Sequence, residues 1–506
     1  MPAFIDTFLN KITMYRLVLY YLIALLVLAA LFGLFGFIPV NPANLAFSTL
    51  VLLAVGWLVN IVFAKSFNAP ANVESVYITA LILALIISPV AYTDSVGVGF
   101  LVFASAWAMA SKFILSIHKK HIFNPAAFGV AFSAIVINQG ASWWAGGYLP
   151  LLSFMFLGGL LIVRKIHRFD LVLSFVAVAL LTIAATATNG HVGTALSQTL
   201  LHSPIFFLAF VMLTEPLTMP PTRVGRLCYG AIVGFLFAPS IHIGSLAFTP
   251  ELALLVGNLF VYFVSPEGRF NLKLIKKNKL ADGTYEFVFL PDLLFKFRPG
   301  QYLEWTIPQR FSDNRGNRRY FTIASSPTEQ DVRLAVKFYE PKSSFKIALD
   351  ALKVNDIIAA SHIAGDFVLP KDPRKKLVFV AGGIGVTPFR SMVQYLVDTH
   401  DTRPVTLFYS NKTASEIAYK ETFDAAEQAI GMKTVYALTG ESGPVPAGMY
   451  AGKINAELIK KEIPDYKERM FYISGPHGMV EAFKKTLHDM GVSRFNIKSD
   501  YFPGFA

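Results

Sequence analysis

Residues 319–327, Arg-Tyr-Phe-Thr-Ile-Ala-Ser-Ser-Pro, read as a strand running into a proline-closed turn. Alternate side chains share one face of a strand, so Arg319 and Phe321 point the same way. A fixed cation beside an aromatic ring suits a phosphate joined to a flat heterocycle. Thr322, with Ser325 and Ser326, adds hydroxyl and backbone donors for such a ring. Taken alone, the stretch reads as well as an edge strand with an exposed arginine. Further stretches weigh against that plainer reading. Gly382-Gly383-Ile384-Gly385-Val386-Thr387-Pro388 follows the apolar run Leu377–Ala381 and precedes a helical pattern over 389–399. Strand, glycine-rich turn and helix make an anion site: glycines let backbone approach a ligand closely, and a helix N-terminus favours negative charge. The spacing is not G-x-G-x-x-G, so the general dinucleotide signature adds little. Ser474-Gly475-Pro476 again closes a strand before a helical run over 479–490. Ser343-Ser344 opens a helical run to Leu352 whose first N–H groups suit a phosphate or a simple serine cap.

The elements that must position these residues divide the chain. After Ser265-Pro266-Glu267-Gly268 come strand-like runs at 270–275 and 285–290, a turn at Asp282-Gly283, and another turn into a strand over 297–303. Short strands in succession point to a small antiparallel β-barrel. From Lys375 onward strands alternate with helices, the pattern of an α/β layer on a largely parallel sheet. The expected divisions are 1–265, 266–372 and 373–506.

The first of these is a different material. Eleven of the 45 Lys and Arg lie before residue 266, in an otherwise apolar half. Candidate spans fall at 16–38, 45–64, 75–92, 96–115, 124–139, 148–163, 169–188, 202–217, 225–240 and 249–265. Every Lys and Arg of this half lies in alternate loops or within a few residues of their ends; the loops around Asn41, Asp94, 141–147, 189–203 and 240–249 hold none. That segregation fits a polytopic α-helical domain of ten spans with both ends cytoplasmic, in the cell's inner membrane. The net charge of +12 then reflects cytoplasmic loops and a domain handling anionic cofactors, with no basic-aromatic run that argues for nucleic acid. Cys228, the single cysteine, excludes an internal disulfide and any four-cysteine cluster and reads as a packing residue. No histidine lies mid-span, so haem is not expected, and no metal site is indicated. Membrane carboxylates are scarce, with Glu215 near a span end. Polar clusters at 68–74, at His121–Gly129 with Asn124, and at Thr214-Glu215-Pro216 through Thr222 read as helix caps and kinks or as a pocket where broken helices meet.

These clusters carry a resemblance. Ile122–Gly129, Ala209–Thr218 and Gly225–Gly230 resemble segments of the flavin-carrying membrane proteins of the Rnf complex and of the Na+-translocating NADH:quinone reductase. The resemblance covers most of 60–265. It implies about ten helices in two related halves, flavin in the membrane, and Asn124 and Thr214 as pocket residues. No Ser-Gly-Ala-Thr type motif, where that family bonds FMN, lies between Gly129 and Ala209. FMN or riboflavin held without a covalent bond is the corresponding expectation.

Residues 270–506 resemble the ferredoxin–NADP+ reductase family, with the motifs in order. The resemblance implies that Arg319 meets the pyrophosphate of FAD, Phe321 packs on the flavin beside Tyr320, and Thr322 lies near the reacting nitrogen. It places Ser343 and Ser344 at an FAD phosphate, with Lys342 where glycine is usual. It assigns Gly382, Gly383, Gly385, Thr387 and Pro388 to the nicotinamide nucleotide. Ser474, Gly475 and Pro476 match Cys-Gly-Pro, and Phe502 or Phe505 corresponds to the terminal aromatic over the flavin. Ser410 and Lys412, with Tyr419 downstream, could read a 2′-phosphate, or form only a polar turn; Asn411 stands where NADP-dependent members often have arginine. NADH or NADPH is the donor. The expected function is a membrane-bound flavoprotein that passes electrons from NAD(P)H through FAD to a membrane flavin and on to a quinone or extracytoplasmic acceptor, with Thr322 and Ser474 nearest the chemistry. A transporter or ion-pumping module with a redox-sensing reductase domain is the alternative.

Overall fold

The computed structural model describes residues 5, 8–9, 12–67, 73–117, 120–187, 191–244, 246–265, 270–309, 313, 316–441 and 444–502. The chain forms two compact units, Met1–Gly268 and Arg269–Ala506.

In the first unit, helical segments stand at all ten apolar runs: α1 (Met14–Leu34), α2 (Pro42–Ser66), α3 (Val73–Ile86), α4 (Ser95–Ile114), α5 (Pro125–Ile137), α6 (Leu149–Ile166), α7 (Phe169–Thr186), α8 (Val192–His202, continuing as Ile205–Met212), α9 (Arg223–Phe237) and α10 (Pro250–Val264). Among the described residues, α1, α2, α4, α6 and α7 are long and apolar enough to cross a membrane, and α8 is a sixth if its two arms, bent by 59°, make one span. Helices α3, α5 and α10 are apolar but have 13–15 residues, about 20 Å at 1.5 Å per residue against a ~30 Å hydrocarbon layer.

The starts of these helices are written locally. Asn41, Asp94, Asn124, Thr222 and Thr249 each accept a first-turn N–H through the side chain. Pro42, Pro125 and Pro250 follow three of them, where a missing N–H costs nothing. Two sequence readings are corrected. The loop expected at 189–203 is helical over 192–202: the Ser197 and Thr199 hydroxyls bond back to the carbonyls of Thr194 and Ala195, which internalises polar groups that had lowered the hydropathy. Cys228 is exposed on α9, not packed.

The two related halves are visible in the packing. Helix α2 packs on α4 as α7 packs on α9, α4 on α5 as α9 on α10, and α1 on α3 as α6 on α8. The contacts are close: a Cβ on Gly234 of α9 would lie 2.4 Å from the Phe175 carbonyl oxygen of α7.

The second unit holds two six-stranded sheets. Strands β1 (Phe270–Ala281), β2 (Thr284–Pro291), β3 (Tyr302–Thr306), β4 (Arg318–Thr322), β5 (Val332–Lys337) and β6 (Ile357–Ala364) form an antiparallel sheet in the order β4-β3-β6-β1-β2-β5. It curls over a core that includes Trp305, Phe287, Phe289 and Phe345, all fully buried, and is flanked by α11 (Ser344–Asp350). Strands β7 (Leu377–Gly382), β8 (Val405–Asn411), β9 (Lys433–Leu438), β10 (Tyr450–Ala451), β11 (Met470–Pro476) and β12 (Ile497–Phe502) form a parallel sheet in the order β10-β9-β8-β7-β11-β12. Helices α12 (Thr387–Asp398), α13 (Lys420–Ile430), α14 (Ala456–Glu462) and α15 (His477–Asp489) accompany it. Strand order reverses on either side of β7, so the crevice beyond the ends of β7 and β11 is where such a sheet binds its ligand.

Candidate active site and membrane polar cluster

On the barrel, β4 pairs with β3 in a register that sets Thr322 opposite Tyr302. Arg319 and Phe321 both lie against the buried ring of Phe345, the guanidinium 5.3 Å and the phenyl ring 5.7 Å from its centroid. Tyr320 packs edge-on to Tyr302 at 5.6 Å. The Arg319 Nη1 group donates to the carbonyls of Gly316 and Arg318, and Nη2 reaches the Asp313 carboxylate at 3.4 Å. That carboxylate also accepts from the Ser344 backbone N–H at 3.3 Å, while the Asp313 N–H donates to the Ser344 hydroxyl at 3.0 Å. An internal carboxylate therefore stands on the arginine and serine assigned from sequence to a phosphate, and their donors suit an anion of that kind. The Ser343 hydroxyl caps α11, accepting from Lys346 N–H.

At the parallel sheet, Gly382, Gly383 and Gly385 line the turn between β7 and α12. A Cβ on Gly385 would lie 2.5 Å from the Ser474 carbonyl oxygen, and one on Gly382 would lie 2.3 Å from Met479 Sδ. Gly383 has φ +53° and open space beyond its Cα. The turn is thus pressed against Ser474 and Gly475 with bare backbone above it. Thr387 donates to the Ile384 carbonyl at 3.3 Å, and Pro388 occupies the first turn of α12. Pro476 is exposed at the end of β11. Pro476 pairs in register with Phe502; Phe505 lies outside the described residues.

Two side chains stand out by what they lack. The hydroxyls of Thr322 (3% exposed) and Ser474 (fully buried) have no hydrogen-bond partner. An unsatisfied buried hydroxyl costs about 1–3 kcal/mol, so each position is expensive without a ligand. The Arg319 anion cradle with the orphaned Thr322 hydroxyl fits a flavin nucleotide, and the glycine turn with the orphaned Ser474 hydroxyl fits a nicotinamide nucleotide.

The polar turn at 410–412, expected from sequence to meet a 2′-phosphate, is less built. Ser410 is half-buried, Lys412 is exposed, and Asn411 is buried with both amide atoms unpartnered. Tyr419 does not join this edge: it donates to the buried Glu286 of β2 at 2.9 Å. Burial, and then the Glu286 charge, hold its phenol far above the ordinary tyrosine range, so it remains a donor.

Sequence reasoning missed the connection between the sheets. Arg390 of α12 is 4% exposed; it donates to the Ala324 carbonyl at 3.1 Å and grips both Glu329 carboxylate oxygens. Ser391 donates to the Ser325 carbonyl at 2.6 Å. The residues just past Thr322 are thereby bonded to the helix that begins at Thr387. The available signal was an arginine-serine pair on the apolar face of an otherwise core-facing helix.

In the first unit, Asn124 caps α5 by accepting from Ala127 N–H, and its Nδ2 donates to Glu215 at 2.8 Å. Glu215 also contacts His121 at 3.1 Å and accepts from the Thr218 hydroxyl at 3.2 Å. Asn258 of α10 ties in Asn124 N–H and Tyr229. The Thr214 hydroxyl is spent on the Phe210 carbonyl at 2.7 Å, in the turn where Leu213 N–H bonds to Leu208 O, an i to i−5 bulge of a kind frequent at functional sites. The adjacent cleft, lined by Lys120, His121, Leu217, Asn258 and Tyr262, has room for about one water molecule. A flavin ring does not fit in that cleft. Asn68 and Asn72 of the third polar cluster lie outside the described residues. Glu251 of α10, 2% exposed and receiving the Trp143 indole N–H at 2.8 Å, is a second membrane carboxylate that the sequence reading missed, because Thr249-Pro250 marks it as a routine helix start.

Comparison with known proteins agrees with this division. Residues 145–266 match the family described as NQR2, RnfD, RnfE, and residues 379–485 match the oxidoreductase NAD-binding domain. The first half thus resembles the membrane proteins of the Rnf and Na+-translocating reductase complexes, and the second the ferredoxin reductase type. A flavohemoprotein of Bacillus cereus is 29% identical over 246 residues, 46% of this chain and 60% of that protein. A glycine betaine monooxygenase reductase subunit of Chromohalobacter salexigens is 26% identical over 241 residues, 46% of this chain and 64% of that one. The chain thus spans about three-fifths of the length of these relatives. Among solved structures, the FAD/NAD-binding domain of a nitric oxide dioxygenase from Vibrio cholerae covers 46% of this chain and 98% of its own, at 22% identity and TM-score 0.42.

Proposed function

We propose that this chain is a membrane-bound NAD(P)H-oxidising flavoprotein. Its reductase unit passes electrons to the membrane unit and on to a quinone or an acceptor on the far side. The observation that carries the proposal is the pair of buried, unpartnered hydroxyls, Thr322 and Ser474, at the ends of the two strands where a flavin and a nicotinamide would meet. The chemistry supplied by bound FAD is acceptance of a hydride from NAD(P)H and release of its two electrons one at a time. Arg319 and Ser344 would hold the diphosphate of FAD, Phe321 would back its ring, Gly382, Gly383 and Gly385 would admit the nicotinamide nucleotide, and the Thr322 and Ser474 hydroxyls would be free to donate to the bound groups. Arg390 and Ser391 tie the chain just after Thr322 to the helix that follows the glycine turn. No general base is needed.

The family match over 145–266 supports FMN or riboflavin in the membrane unit, and the missing Ser-Gly-Ala-Thr type motif supports its being held without a covalent bond. Both chain ends lie in the cytoplasm under this reading, consistent with the loop charges. The test is flavin stoichiometry in purified protein, by acid release and chromatography. FAD plus FMN or riboflavin supports the relay; FAD alone, with none left on the precipitated chain, ends it. A second reading, ion coupling, draws on the two membrane carboxylates Glu215 and Glu251; sodium-dependent turnover would favour it.

A further inference from the structure

One face of the barrel is at odds with exposure to water. Outward positions of an antiparallel sheet with one wet side are normally polar. Here Lys273 of β1 faces Ile357 of β6 on one side and Leu290 of β2 on the other. Ile275 is two residues along the same strand. Leu294 is 92% exposed just after β2, beside an exposed Leu293, and Val354 is exposed before β6. Scattered apolar side chains on a surface are ordinary, whereas a contiguous set marks a binding face.

Lysines outnumber carboxylates around this face, with Lys273, Lys276, Lys296 and Lys353 against Asp292 and Asp356. Lys273, Lys276, Lys296 and Lys353 are exposed and form no ion pair among the described residues. The two carboxylates are held close to the chain, Asp292 accepting from the Asn271 backbone and side chain, both at 2.8 Å, and Asp356 from Lys353 N–H at 2.8 Å, which leaves a net positive rim. Aliphatic side chains ringed by free lysines match an interfacial, anionic-lipid-binding surface. Protein interfaces favour aromatic residues and arginine and are depleted in lysine. Only residues 265–269 separate the last helix of the membrane unit from β1, at most about 20 Å of chain.

We propose that this β1–β2–β6 face rests on an anionic lipid surface, with its aliphatic side chains at the headgroup boundary and its lysines on lipid phosphates. The inference rests on the chain being embedded in a bilayer, not on its electron path.

The test uses the full chain in lipid nanodiscs, in a Cys228→Ser background, with an environment-sensitive fluorophore attached after Leu294→Cys or, as control, Lys453→Cys. Headgroup-region spin-labelled lipid is expected to quench the probe at 294 and not at 453 in discs containing phosphatidylglycerol, and less in phosphatidylcholine alone. Lys273→Gln and Lys353→Gln should each lower the docked fraction about fivefold relative to free. Equal exposure of positions 294 and 453 in phosphatidylglycerol discs would overturn the proposal. NADH oxidation with a soluble acceptor, measured on the same samples, reports the reductase reading separately.

Discussion

Thr322→Val separates stability from function in opposite directions. In the absence of flavin the Thr322 hydroxyl is buried without a partner, at a cost of about 1–3 kcal/mol that a methyl of similar shape removes. The Thr322 side chain makes no other hydrogen bond that would be lost. Taking ~1 kcal/mol as the net gain, the apoprotein's reductase unit should unfold about 2–4 °C higher. With cofactors present the sign reverses. A lost hydroxyl donor costs about 0.5–1.5 kcal/mol, so NADH-driven flavin bleaching, followed anaerobically by stopped flow, should slow about two- to twelvefold. Ser474→Ala should slow the same step, and also raise the KM for the nicotinamide nucleotide. A Thr322→Val protein with unchanged bleaching rate would refute the reasoning. So would one whose apoprotein melts lower than wild type, because its hydroxyl would then be doing structural work.

Three further predictions concern the same unit. Asp313→Asn removes the carboxylate from Arg319 and Ser344; because that pair is partly exposed, FAD should bind about two- to fivefold more tightly, read by quenching of flavin fluorescence on titration. Arg390→Met breaks the buried pair with Glu329 and should lower stability by about 2–3 kcal/mol, the reduced end for such pairs because Arg333 also neutralises Glu329; a thermal melt with and without FAD checks it. Hydrogen bonds from Lys277 hold the Asp350 carboxyl below the ordinary aspartate range, and those from Arg403 do the same for Asp401. Stability from depressed carboxylates is fully present above their unfolded pKa near 4 and is lost as pH falls through the lower folded value. The melting temperature of the reductase unit should therefore hold above about pH 5 and fall below about pH 4, and Lys277→Met should flatten that fall.

Local chemistry in the sequence determined a large part of this protein. The Asn-Pro and Thr-Pro helix starts, the apolar runs, the glycine turn at 382–385 and the period-two strands are each decided by interactions within a few residues, so they could be read directly. The charge bias of the loops belongs to the same class. Helix length in the membrane unit was less legible, because hydroxyls at 192–202 satisfy themselves within the helix and mimic a loop. What only the tertiary structure decided are the partners that lie far apart in the chain. Asp313 occupies the anion cradle of Arg319 and Ser344; Tyr419 serves Glu286 instead of a nucleotide; Arg390 binds the strand end after Thr322; Glu215 gathers Asn124, His121 and Thr218, while Thr214 beside it turns back on its own helix. Each depends on which donor and acceptor are left without nearer partners once the sheets and helices have packed. A buried polar group must find its partner wherever the fold supplies one, and sequence spacing carries no record of that distance.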